Sequence, residues 1–318
     1  MKLHLDYKPA VSEHKISHAD HLFLIGSCFS EHMSEKLRMS GFHVAENPYG
    51  ILFNPLSISE CLSQIISTEQ REERLLERAG LYYSYDCHSS VYATSADELR
   101  LILKNIRETS LGHIKSSRYL IITLGSAHVY ELKDHKTVVA NCHKQPSAIF
   151  QKRLLKTEEI IEVYTDLVKA LKALNPSIRV LFTVSPVKYL KDGVIENNVS
   201  KATLILAIHQ LVSQGHAAYF PSYELVNDDL RDYRFYKEDM AHPNEYAIQY
   251  VWEKFADTFF NAETRKLTSD VNKLNASLSH RLLFPESEEA KKFLKELETR
   301  RQALKELHPE INLSSKLQ

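Results

Sequence analysis

His21-Leu22-Phe23-Leu24-Ile25-Gly26-Ser27-Cys28-Phe29-Ser30 is the stretch that decides the fold. Leu22 to Ile25 is an apolar run of strand length, and it stops at Gly26. Beyond the Ser-Cys pair, Phe29, Met33 and Leu37 recur at helical spacing. The reading is a buried strand, a tight glycine turn and a helix N-terminus. Open α/β sheets put their sites at the carboxyl ends of strands. A helix N-terminus adds unpaired N–H groups and a partial positive charge, which suit an oxyanion. Ser27 is therefore the candidate nucleophile, against the plainer reading of a helix cap, where Ser is common. Cys28 competes, because a helix N-terminus lowers a thiol pKa, but one step into the helix it turns away from the direction of Ser27.

Outward from this stretch the pattern repeats. Strands are expected over Phe42–Ala45, Leu81–Tyr85, Tyr119–Leu124, Arg179–Val184 and Ala217–Phe220. Helices are expected over Leu56–Ile66, after Ser95-Ala96-Asp97-Glu98, and over 156–174, Val199–Val212, Asn244–Phe260 and Glu288–Leu307. Val129–Leu132 and Thr137–Asn141 read as a hairpin. Residues 1–20 read as an extended arm, 68–78 as a solvated charge run, 262–286 as weakly patterned and the last residues as frayed. Strand and helix alternating about five times argues for a mostly parallel sheet covered on both faces. The expected organisation is one α/β domain over 1–261 and a helical appendage over 262–318.

Composition excludes several classes. The 318 residues are 43% hydrophobic and 25% charged, ordinary for a globular chain with its own core. A net charge of -1 offers no global field for nucleic acid or anionic membrane. The four cysteines form no C-x-x-C pair, so reduced thiols are expected. No run reaches membrane-span length, and the charged start lacks the apolar core of a signal peptide. The expected location is cytoplasmic. The dipeptides Cys87-His88 and Cys142-His143 do not suggest a metal site, because strand neighbours point to opposite faces. No metal or other cofactor is expected.

A nucleophilic serine needs a base, and the base needs an orienting acid. Asp239-Met240-Ala241-His242-Pro243-Asn244 supplies both: a carboxylate and an imidazole three residues apart, on a loop just before the last core helix. The basic aromatic stretch Arg231, Tyr233, Arg234, Phe235, Tyr236 and Lys237 before it reads as a solvated segment with rings packed inward.

A Gly-Ser at the first strand end with a late Asp-x-x-His resembles the SGNH (GDSL-like) esterase superfamily. Gly26-Ser27-Cys28-Phe29-Ser30 is similar to the motif that names the GSCFA family, with Ser30 where the name has Ala. Asn47-Pro48-Tyr49-Gly50-Ile51-Leu52-Phe53-Asn54-Pro55, Thr123-Leu124-Gly125-Ser126 and Asn141-Cys142-His143-Lys144-Gln145-Pro146 resemble it too. The resemblance spans roughly residues 20–260. It implies a three-layer α/β/α flavodoxin-like fold with a mostly parallel five-stranded sheet, the hairpin inserted. It also implies Ser27 as nucleophile, His242 as base and Asp239 as orienting acid. The backbone N–H groups of Cys28 (or of Ser27 itself) and of Gly50 are the expected oxyanion donors. The superfamily's Gly-x-Asn reads Gly125-Ser126-Ala127 here, so either Asn47, Asn141 or the side chain of Ser126 or His128 substitutes or the hole has fewer donors, and His143 is a candidate for substrate contact. The resemblance implies a hydrolase or acyl-transfer activity, and the expected function is removal of a small acyl group, such as acetyl, from a polar or glycan-like carrier, with no nucleic acid involved. A non-catalytic glycan-binding module and an O-acyltransferase are the alternatives.

Overall fold

The computed structural model describes residues 5–67, 69, 71–278 and 284–313. The start of the N-terminal arm, 1–4, and the end expected to fray, 314–318, lie outside them. β1 (His21–Gly26) enters α1 (Cys28–Met39) with Ser27 alone between them. β2 (His43–Glu46) and α2 (Pro55–Ile66) follow. Next come β3 (Leu75–Arg78), β4 (Leu81–Ser84) and β5 (Tyr92–Ala93), an antiparallel sheet. α3 (Ala96–Ser116) leads to β6 (Ser117–Leu124). A second antiparallel sheet is built from β7 (His128–Leu132), β8 (Thr137–Val139) and β9 (Phe150–Leu154). Then come α4 (Thr157–Leu174), β10 (Arg179–Val184), α5 (Val194–Ser213) and β11 (Ala218–Tyr219). The short α6 (Ser222–Glu224) continues as a π-helical turn over Leu225–Leu230. α7 (Glu245–Phe259), α8 (Ala262–Leu278) and α9 (Glu288–Leu307) complete the order.

The central sheet has five strands, all parallel, in the order β2-β1-β6-β10-β11. Counting only these strands, the order is 2-1-3-4-5, the flavodoxin-like doubly wound arrangement, whose switch point lies between β1 and β6. Successive strand residues face opposite ways, and β1 shows it. Phe23 and Ile25 join Leu120, Ile122 and Phe182 in a core shared with α2 to α5. Leu22 and Leu24 join Ile121 and Leu181 in a second core with Phe29, Met33 and Leu37 of α1 and Val251, Trp252 and Phe255 of α7. Two apolar layers on one sheet make the three-layer α/β/α fold.

Several expectations need correction. The expected hairpin over 129–141 has a third strand, β9, paired to β7 from His128↔Leu154 to Leu132↔Phe150. The charge run ends in β3, an edge strand whose Glu77 and Arg78 face solvent. The weakly patterned segment contains α8, which packs Leu267, Val271 and Leu274 against Leu297, Ile311 and Leu313. This small core is tied to the main domain: Asn312 N–H donates to Gly41 O at 2.8 Å, and a His43 ring nitrogen lies 3.1 Å from Glu310 O. The N-terminal arm is docked, with the Ser12 and Ile16 N–H groups donating to the carbonyls of Thr258 and Phe259 at the end of α7. Among the described residues no helix is long and apolar enough to cross a membrane.

Candidate active site

The turn after β1 tolerates only glycine. Gly26 has φ 144, and a Cβ there would lie 2.2 Å from Thr123 O. This left-handed, close-packed corner delivers Ser27 to the N-cap position of α1, at the carboxyl end of β1 beside β6. The Ser27 side chain nevertheless makes no capping hydrogen bond. The residue is 4% exposed, and its Oγ is buried with no hydrogen-bond partner. Leaving a buried hydroxyl unpaired costs about 1–3 kcal/mol, so its persistence at a cap position that offers a partner is informative.

The loop between β2 and α2 wraps this corner. Asn47 N–H donates to Leu24 O at 3.0 Å and Leu52 N–H to Gly26 O at 3.1 Å. Asn47 holds a left-handed φ of 36, and its Oδ1 accepts the Gly26 N–H at 2.9 Å. Its Nδ2 is buried without a partner, a second orphan next to Ser27. In α1 the N–H groups of Cys28 and Phe29 find no backbone acceptor among the described residues and face the Cys28 sulfur, whereas Ser30 N–H bonds Ser27 O at 2.8 Å. The donors available near Ser27 are therefore two helix N–H groups and one side-chain amide.

Gly50 does not belong to that set: its N–H donates to Asn47 O at 2.8 Å. The turn after β6 is committed too. Gly125 N–H and Ser126 N–H both donate to Phe53 O, at 2.7 and 3.1 Å. The Ser126 hydroxyl is buried against Ser200 Oγ, 3.2 Å away, and accepts the His128 N–H at 3.1 Å. Gly125 gives close approach instead of donors: a Cβ there would stand 2.8 Å from Phe53 Cβ and 3.4 Å from Ser27 Cβ. Burial, with Glu31 nearby, pushes the Cys28 thiol up, the wrong direction for a thiolate nucleophile.

Asp239 and His242 meet as their spacing predicts. Asp239 Oδ2 lies 2.6 Å from His242 Nδ1, and Oδ1 accepts the backbone N–H groups of Ala241 and His242 at 2.9 Å each. Those two N–H groups, with the imidazole, hold the Asp239 carboxyl down at about 2. Both side chains are about half exposed, at 49% and 44%. The loop is anchored at each end. Lys237 N–H donates to His242 O at 2.7 Å, and Lys188 N–H, on the loop after β10, to Ala241 O at 3.0 Å. The Lys188 ammonium also sits over the rings of Tyr233 and Tyr236, at 4.2 and 4.1 Å. Lys237 bears electrostatically on His32, one turn beyond Cys28 in α1, which sets the loop beside that helix. Because Ser27 Oγ has no partner, the hydrogen bond between Ser27 and His242 is not formed here.

The remaining candidates separate. His128 and Asn141 line a groove of about 620 Å³ that begins at Phe53, beside Gly125, and runs along the second antiparallel sheet. Phe53 stacks on Tyr189 at 5.7 Å in its wall, and Lys144, Lys152 and Lys191 border it. His143 is elsewhere: it is 2% exposed, with one ring nitrogen 2.8 Å from Ser84 O and the other 3.3 Å from Ser89 Oγ. It pins the turn after β8 to the first antiparallel sheet and has no face toward Ser27 or the groove. Among the described residues no group of three His, Cys, Asp or Glu could hold a metal ion.

One residue escaped the sequence reading. Lys201, on α5, is 1% exposed, and its Nζ donates to Gly125 O at 2.6 Å and Ser185 O at 2.7 Å. Asn197 and Ser200, on the same buried face, bond Tyr189 N–H and Ala127 N–H at 2.8 and 2.7 Å. The signal was present. Lys201 shares its helix face with Leu204, Ile208 and Leu211, all buried, and a lone lysine on an apolar face is rarely buried without purpose.

No curated protein matches the chain. One solved structure similar to it is titled "Crystal structure of a carbohydrate esterase family 3 from Talaromyces cellulolyticus". It shares 11% identity over 79% of this chain and 99% of that one, with a TM-score of 0.37, so the likeness is distant. The model of the GSCFA family matches residues 21–255, the central sheet with its flanking helices and both inserted sheets. A second model, the GSCFA domain protein C-terminal domain, matches residues 271–318. With the first covering well over half of its length, the chain belongs to the GSCFA family.

Proposed function

We propose that this protein is a serine esterase that removes a small acyl group, such as acetyl, from a polar or glycan-like carrier. The observation that carries the reading is Ser27: a hydroxyl at a helix N-cap that does not cap, buried and unpaired beside the unpaired Asn47 amide. In the proposed cycle the 239–242 loop closes on Ser27, and neutral His242 takes the Ser27 proton on Nε2 as Oγ attacks the acyl carbonyl carbon. The N–H groups of Cys28 and Phe29 and the Asn47 amide receive the oxyanion, where preorganised donors count most. His242 then gives its proton to the leaving alcohol oxygen, leaving an acyl-Ser27. Water, deprotonated by the same imidazole, releases the acid and restores Ser27. Asp239 holds the ring and stabilises its charged form. The groove along Phe53 and Tyr189 is the proposed seat of the carrier, since flat rings and bordering amines suit a polyhydroxylated group.

Hydrolysis of a short-chain p-nitrophenyl ester by the wild type and Ser27→Ala is the test; equal rates would end the proposal. The unformed Ser27–His242 bond favours a second reading, a glycan-binding module with an inert serine. An acyltransferase, in which an alcohol replaces water in the last step, would be distinguished by its products with mixed acceptors.

A further inference from the structure

Lys201 costs the fold something. A buried ammonium normally pairs with a carboxylate, yet among the described residues Lys201 has no acidic partner: it holds two backbone carbonyls and lies 5.8 Å over the Tyr223 ring. The titratable groups facing it are the Cys28 thiol from α1 and the Tyr223 phenol from α6. Burial pulls its pKa down to about 7, with Cys28 acting weakly in the other direction.

Its two carbonyls belong to the two loops that matter. Gly125 packs against Ser27, as the contact its Cβ would make shows. Ser185 begins the loop whose Lys188 pairs with Ala241 and stacks on Tyr233 and Tyr236, the supports of His242. Ser185 N–H in turn donates to Leu124 O at 2.8 Å, so the two loops already leave adjacent strands together. Lys201 Nζ adds a side-chain tie between the Ser27 side and the His242 side of the site.

We propose that Lys201 is a positioning residue that sets the placement of His242 relative to Ser27, by holding the Gly125 and Ser185 carbonyls with a charged ammonium group. The inference rests on the esterase reading for its catalytic consequence but not for its structural one. When the amine is charged, three N–H donors are available and two are spent on carbonyls. When it is neutral, both bonds weaken and the loops are free to part. Displacement of a base by about 1 Å can cost about a hundredfold in rate.

The experiment compares the wild type with Lys201→Met, which keeps length and removes charge, and Lys201→Gln as a second folded control. kcat and KM for a p-nitrophenyl ester are measured from pH 5.5 to 9, and amide hydrogen exchange is followed at 125–127 and 185–188. The expected result is a folded Lys201→Met with kcat reduced about a hundredfold, KM little changed, and faster exchange in both segments. The wild-type kcat is expected to fall as pH rises through about 7, and the variant's profile to lack that fall. A variant with wild-type kcat, or one whose profile keeps the wild-type alkaline fall, would overturn the proposal. If the wild type itself is inert, the esterase reading fails, and exchange alone decides: unchanged protection in both segments rejects the clamp, faster exchange supports it. If neither variant folds, Lys201 serves stability alone and the proposal is rejected.

Discussion

Asp239 grips His242 twice, through the ring Nδ1 at 2.6 Å and through the backbone N–H at 2.9 Å. The double contact fixes the tautomer, with the proton on Nδ1 and Nε2 left as the acceptor. The pair is preformed on its loop, while its approach to Ser27 is not.

The first prediction concerns that carboxylate. Asp239→Asn presents an amide to Nδ1 and favours the wrong tautomer, so kcat should fall by about ten-thousandfold with little change in fold. The sign of the pH effect follows from the held-down carboxyl. Asp239 stays ionised until the pH falls through about 2. Any loss of activity on the acid side above that pH is therefore not protonation of Asp239, and a kcat profile of the wild type against Asp239→Asn checks this.

The second concerns the orphan amide. Asn47→Asp keeps an oxygen for Gly26 N–H and a side chain that tolerates the left-handed backbone, but it replaces the Nδ2 donor with negative charge. The expected loss is about a hundredfold in kcat per folded molecule, with a lowered melting temperature because the new carboxylate is buried without a cationic partner. Wild-type kcat in this variant would remove Asn47 from the donor set.

The third separates structure from chemistry. His143→Asn removes a buried ring whose two nitrogens are both engaged. The cost should be about 2 kcal/mol in stability, read by denaturant unfolding, with turnover per folded molecule nearly intact. A large loss of turnover in a fully folded variant would return His143 to the site.

Much of this arrangement was legible in the residues themselves. The run Leu22–Ile25 stopped by Gly26 announced a strand end, and the fold needs that glycine for the approach of Thr123 O. Asp239 and His242 were readable because three residues of loop bring their side chains together. Two edge strands of the inserted sheets were not: β3 ends in Glu77 and Arg78, and β9 carries Gln151, Lys152 and Arg153. Short edge strands that carry charged residues offer too few apolar positions for alternation to show. Oxyanion donors cannot be read from residue type: Gly50 spends its N–H on the Asn47 carbonyl within its own turn, and Ser126 spends its N–H on the Phe53 carbonyl, a bond that exists only once two distant loops meet. Lys201 went unread because its partners are carbonyls, which every residue has.

The most direct measurement is the mass-spectrometric site of a fluorophosphonate adduct on the native protein. The account predicts phosphonylation of Ser27, absent in Ser27→Ala and strongly slowed in His242→Gln. No adduct on the wild type, or an adduct on another residue with Ser27 unmodified, would contradict it.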